Sequence, residues 1–105
     1  MNIGELATGI DTAYARLGTA HRQLVAATEA LSNYERRAKV ENADILLEAK
    51  NERTATLYLD GILDTPEHTD LSAAKTQAEL AHYEARLEIQ RLELLVRLLE
   101  VREGV

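Results

Sequence analysis

Glu79 and His82 are the residues whose types and spacing most resemble a chemical site, because together they form a Glu-x-x-His pair. Residues three apart lie on one face of an α-helix, so a carboxylate and an imidazole at this spacing can bind the same metal ion. A homodimer would supply two such pairs. Glu48 or Glu52 falls about where an earlier helix should pass His82. These four residues are the candidate ligands of a ferritin-like metal-binding dimer, one alternative for the function.

Chance explains this pair better than metal chemistry does. One glutamate three residues before one of only three histidines is a common coincidence, and Arg86 continues the same helical stripe, as is typical of a solvated face. His21 and His68 have no partners at catalytic spacing, and there is no glycine-rich phosphate loop. We therefore expect no cofactor, no bound metal and no enzymatic activity.

The charge distribution argues against nucleic acid as a direct partner. The formal net charge is −6 at pH 7, whereas nucleic-acid binders usually carry a basic footprint. Arg36, Arg37 and Lys39 form the one basic cluster, and an antiparallel second helix should bring Glu93 and Glu100 close to it. An accessory role in DNA processing or recombination remains a second alternative, through these basic residues or through a protein partner.

Composition places the chain among folded helical proteins. Hydrophobic residues make up 46% and charged residues 29%, while glycine and proline total only five and one. Cysteine is absent, which excludes disulfides and thiolate metal sites. No run of about 18 apolar residues predicts a membrane span, and the N-terminus lacks a signal peptide. We expect an acidic cytoplasmic protein with no membrane contact.

A heptad pattern in the first third of the chain is the strongest structural signal. Apolar residues recur at alternating spacings of three and four, which is typical of the contact stripe between paired helices. Large aliphatic residues mostly alternate with alanine, and this favours a close antiparallel helix pair. We call this set the N-terminal seam: Ile3, Leu6, Ile10, Ala13, Leu17, Ala20, Leu24, Ala27, Leu31, Tyr34 and Ala38.

Helix signals predict an all-α, coiled-coil-like antiparallel hairpin in a single domain over residues 1–105. The predicted helices cover about 5–60 and about 71–102, with a loop over about 61–70. Gly61 offers a helix stop, and Thr65 before Pro66 resembles a helix start. Asp70 is the alternative cap of the second helix. Asn51 is a candidate for a local break in the first helix.

Pairing outward from this loop leaves residues 1–29 without a partner in their own hairpin. Either the chain breaks near Gly18 and forms a three-helix protomer, or the seam pairs with another subunit. The end of the second helix is apolar nearly all round, so the hairpin alone does not cover all of its apolar residues, among them Leu92, Leu95 and Leu99. Self-association into a bundle answers both, and a dimer is favoured. The predicted interface residues are Ile3, Leu6, Ile10, Ala13, Leu17, Ala20, Leu24, Ala27, Leu31, Leu92, Leu95 and Leu99.

Residues 25–101 resemble a group of small helical proteins. The segment Asn51-Glu52-Arg53 precedes Leu57 and a Glu/Arg/Leu-rich helix that continues through residues 91–99. This arrangement is similar to small coiled-coil proteins encoded in phage and prophage early regions, often near recombination genes. The resemblance implies a helical hairpin in the cytosol of a bacterial or phage-infected host, without an activity to transfer. We expect a non-enzymatic, self-associating interaction module with an unidentified protein partner.

Overall fold

A computed structural model describes residues 2–103, and 92% of them are helical. The helices are α1 (Ile3–Glu41), α2 (Ala43–Leu47), α3 (Glu52–Leu63) and α4 (Pro66–Glu103). The described part of the chain contains no strand. The predicted all-α helical hairpin is therefore confirmed, with α1 and α4 as its two long helices.

α1 is continuous from its first turn to Glu41. Asn2 begins it, because its side-chain oxygen accepts a hydrogen bond of 2.7 Å from the backbone N–H of Glu5. Gly18 stays helical, and the nearest atom that an added Cβ would meet is the end of the Arg22 side chain at 3.4 Å. The three-helix alternative, which required a break near Gly18, is therefore wrong.

The predicted single helix over residues 5–60 is also wrong, because two asparagines interrupt it. The Asn42 side chain donates to the carbonyl of Ala38 at 2.8 Å as α1 ends. The Asn51 side chain accepts from the backbone N–H of Thr54 at 2.9 Å and caps α3. Asparagine side chains that bond to nearby backbone groups compete with helix continuation in this way. The candidate break near Asn51 is confirmed, and α2 lies between the two interruptions.

The turn into α4 is shorter than the predicted loop over residues 61–70. α3 continues through Gly61, which does not adopt a positive φ, so the predicted helix stop there is wrong. Only Asp64 and Thr65 separate α3 from α4. Thr65 acts as the cap, since its hydroxyl accepts from the backbone N–H of His68 at 3.1 Å, and Pro66 is the first helical residue.

Contacts divide the described residues into two units, and α1 and α4 each contribute to both. The first unit comprises residues 2–24 and 77–103, where the two helices pair antiparallel. Tyr14 of α1 donates a 3.0 Å hydrogen bond to Glu93 of α4. About two turns further along α1, the ring centres of His21 and His82 lie 5.8 Å apart. All buried side chains of the described chain belong to this unit: Leu6, Ala13, Ala20, Ile89 and Leu92.

The first-unit core gives the N-terminal residues the partner that the sequence analysis did not assign. Leu6 and Ala13 of α1 form one buried cluster with Ile89 and Leu92 of α4. Partly buried residues of both helices pack around the cluster: Ile10, Leu17, Leu95, Val96 and Leu99. The inference that residues 1–29 lack an intrachain partner is therefore wrong. The predicted pairing was out of register because α1 ends at Glu41 and not near residue 60.

The second unit, residues 25–76, is held by polar contacts around the start of α4. The hydroxyls of Tyr34 and Thr65 share a hydrogen bond of 2.7 Å. The imidazole Nε2 of His68 lies 3.0 Å from a carboxylate oxygen of Glu35, and its ring centre is 5.9 Å from that of Tyr34. His68 thus joins α4 to α1 in this unit.

We expect Thr65→Ala to lower the free energy of unfolding by about 0.5–2 kcal/mol, the usual cost of removing a helix cap. Thr65 caps α4 and also bonds to Tyr34, so two contacts of one hydroxyl disappear. Thermal unfolding measured by circular dichroism checks this, with Thr65→Ser as the control that keeps the hydroxyl. Equal melting of the Ala and Ser variants would contradict the cap.

Candidate interaction surface

α4 carries two apolar faces on opposite sides of one helix. Its inner face, which includes Ile89 and Leu92, packs against α1. With 3.6 residues per turn, Leu94 is rotated by about 200° from Leu92, and Leu87 by about 220°. Leu87 and Leu94 therefore point away from α1.

We call the second set the outer face of α4. Its members are large apolar side chains that are between 44% and 67% exposed. Four of them recur every seven residues, the period of a helix that packs along another helix. The outer face consists of Leu80, Tyr83, Leu87, Leu94, Leu98 and Val101.

Charged residues interrupt and border the outer face. Glu84, Arg91 and Arg97 fall between its apolar members. Arg91 makes two hydrogen bonds to Glu88, of 2.7 and 3.0 Å. These hydrogen bonds lower the pKa of Glu88 below its usual value and raise that of Arg91. Much of the Arg91 charge is therefore matched within its own helix.

Glu93 borders the same face on the side of α1. Its carboxylate accepts the hydroxyl of Tyr14, and this hydrogen bond, together with the negative charge, raises the pKa of Tyr14. Glu35 on α1 is engaged in a similar way, since its carboxylate lies 3.0 Å from the imidazole Nε2 of His68.

Most of the predicted interface residues lie inside the hairpin and not on a free surface. Leu6, Ala13, Ala20 and Leu92 are buried, and Ile3 is exposed at the start of α1. The remaining members are half-buried: Ile10, Leu17, Leu24, Ala27, Leu31, Leu95 and Leu99. The premise for assigning them to another subunit was a missing intrachain partner, and in the first unit that partner is α4.

The outer face was not among the predicted interface residues, although the sequence contains a signal for it. Leu80, Leu87, Leu94 and Val101 are each seven residues apart. Further apolar residues of the inner face, such as Leu92 and Leu95, lie among them and obscure the repeat. The seven-residue repeat of the outer face is visible only when the apolar residues of the inner face are left out of the count.

The structure does not bring the four candidate metal ligands into one cluster. Glu79 and His82 belong to the first unit, where His82 faces His21, whereas Glu48 and Glu52 belong to the second. Among residues 2–103, no three His, Asp or Glu side chains are grouped so that they could hold a metal ion. The basic residues Arg36, Arg37 and Lys39 lie exposed on α1.

None of the described helices has the length and apolar character needed to cross a membrane. No protein-family model, curated protein sequence or solved structure matches this chain.

Proposed function

We propose that this protein is a non-enzymatic protein–protein interaction module whose binding surface is the outer face of α4. The observation that supports this most directly is the seven-residue repeat of exposed apolar side chains from Leu80 to Val101. The resemblance to small phage and prophage coiled-coil proteins supports an accessory role in the cytoplasm of a bacterial or phage-infected host.

The free energy of burying apolar side chains favours a bound partner on the outer face. Burying one leucine side chain contributes about 1.5–3 kcal/mol, and four of the six residues of this face are leucines. Large exposed apolar patches that polar residues border mark interaction sites on proteins. A helix of the partner, laid along α4, would cover the repeat as in other helix-mediated complexes.

The test is capture of binding proteins by the immobilised chain from cells that produce it naturally. We expect Leu87→Glu/Leu94→Glu to lose proteins that the unchanged chain retains, and untagged copies of the chain count among them. The matched control is Val40→Glu/Leu47→Glu, which changes exposed apolar residues of the second unit. Circular dichroism verifies that both variants remain helical. Identical capture by all three chains would refute the outer face as the binding surface.

A further inference from the structure

We infer that His21 and His82 together bind a divalent first-row metal ion such as Zn²⁺, which links α1 to α4 within the first unit. This inference goes beyond the proposed function, because neither histidine belongs to the outer face of α4 and the ligand is an ion.

The fold brings together two histidines that lie far apart in the sequence. The ring centres of His21 on α1 and His82 on α4 are 5.8 Å apart, and the two ring planes are inclined by 47°. Both residues belong to the first unit, so their proximity depends only on the α1–α4 pairing that buries the core. His21 has no partner at catalytic spacing in the sequence, and the tertiary structure supplies one.

Alanines beside both histidines lie at the contact between the two helices. Ala20 precedes His21 and is buried, and Ala81 precedes His82. Ala20 and Ala81 line one groove between α1 and α4. The distance between two packed helices depends on the size of the side chains at their contact, and alanine permits a close approach. Helix packing therefore sets the positions of the two imidazoles.

The 5.8 Å separation fits two imidazoles that share one metal ion. A Zn–N bond is about 2.0–2.1 Å long, which places the centre of each coordinating ring about 3.2 Å from the metal. Two such centres are then about 5.2 Å apart at a tetrahedral N–Zn–N angle, and about 6.4 Å apart when the nitrogens lie opposite each other. The torsion that orients a histidine ring has broad minima, so the rings can turn while their centres stay nearly in place. The paired helices therefore supply the ligand separation that the ion requires.

The nitrogens of both rings are available as ligands. Among residues 2–103, neither of these imidazoles takes part in a hydrogen bond, whereas Nε2 of His68 lies 3.0 Å from a carboxylate oxygen of Glu35. His21 is exposed and His82 is half-buried, so an ion and its water ligands can reach the pair from solvent.

Two imidazoles select a particular class of ion. Imidazole nitrogens suit zinc, copper and nickel, whereas magnesium and calcium prefer oxygen ligands. Structural zinc sites have four protein ligands, and catalytic zinc sites have three. No third His, Asp or Glu side chain of the described residues joins the pair, so water completes the coordination. We expect an exchangeable site that binds more weakly than either of those classes.

Charges of both signs lie next to the pair. Glu79 lies about one turn before His82 on α4, and Arg86 lies about one turn after it. On α1, the guanidinium of Arg22 donates a 3.2 Å hydrogen bond to the hydroxyl of Thr19. Binding therefore depends on the imidazole nitrogens and not on a negative patch, which distinguishes this site from a Glu79–His82 pair on one helix.

The test is Zn²⁺ binding by the full chain without a polyhistidine tag, measured by isothermal titration calorimetry. We expect His21→Gln and His82→Gln each to weaken binding by at least about tenfold, because losing even an outer partner of a metal ligand costs about 10–100-fold. His68→Gln is the matched control in the second unit and should leave the affinity unchanged. Circular dichroism verifies that the three variants remain helical.

NMR signals of the histidine ring protons give a second readout on the unchanged chain, with the three variants assigning the signals. One equivalent of Zn²⁺ should shift the signals of His21 and His82 and leave those of His68 in place. Equal shifts at all three histidines would indicate an adventitious ion only and overturn the inference.

Glu79→Gln discriminates between this site and the ferritin-like alternative, and we expect it to retain the Zn²⁺ affinity. Loss of binding in Glu79→Gln and His82→Gln, with full retention in His21→Gln, would place the ion on α4 alone and overturn the inference. Retention of binding by both His21→Gln and His82→Gln would overturn it as well. Capture of proteins through Leu87 and Leu94 is a separate measurement, so neither result decides the proposed function.

Discussion

Leu92→Ala is expected to lower the free energy of unfolding by about 2–5 kcal/mol, the range for truncating a buried leucine. Leu92 is only 3% exposed and lies at the centre of the cluster with Leu6, Ala13 and Ile89. The core holds few other buried residues to absorb the loss. Since small proteins are typically stable by about 5–15 kcal/mol, this substitution removes a large share of the total. Urea unfolding followed by circular dichroism at several protein concentrations measures the effect.

The matched control for this prediction is Leu57→Ala on α3, because Leu57 is 62% exposed. An exposed Leu→Ala change within a helix should alter stability by no more than about 0.5 kcal/mol. If Leu57→Ala destabilised the chain as much as Leu92→Ala, the assignment of the core to the α1–α4 contact of the first unit would be wrong.

Gly18→Pro is expected to cost about 3 kcal/mol or more. Gly18 lies in the interior of α1, where proline would remove a helical hydrogen bond and clash with the preceding turn. Gly18→Ala should have the opposite sign and stabilise the chain by about 0.5–1 kcal/mol, because alanine loses less backbone entropy in a helix. The added methyl group would meet only the mobile end of Arg22.

This pair of substitutions discriminates directly between a continuous α1 and a helix broken at Gly18. Thermal unfolding of the two variants beside the original chain provides the measurement. If proline at position 18 were tolerated and alanine gave no gain, the chain would turn there, and the three-helix alternative would return.

The helical character of the chain could be predicted from local sequence alone. The N-terminal seam has the three-and-four spacing of a contact stripe, and Leu6 and Ala13 of this seam do face α4 in the first unit. The start of α4 at Pro66 had a local signal in Thr65 before Pro66, although the predicted helix began only at about residue 71.

The pairing register could not be predicted, because it depends on where the first long helix ends. Neither Asn42 nor Asn51 is a strong helix breaker by propensity. Each interrupts the helix here through a hydrogen bond between its side chain and the backbone. Asn42 donates to the carbonyl of Ala38, and Asn51 accepts from the N–H of Thr54. An error of some twenty residues in the end of α1 left residues 1–29 without a predicted partner, although Leu99 packs against the cluster that contains Leu6.

By itself, the sequence of this protein determined that two long helices pair and which side of α1 faces the contact, because one apolar stripe on α1 leaves a single choice. For α4 the sequence could not determine which side faces α1, because Leu92 and Leu94 belong to two different apolar stripes. Only the tertiary structure decided that Leu92 is buried against α1 and Leu94 is left at the surface. The physical reason is that burial depends on contacts between residues far apart in the chain, and local periodicity does not contain that information.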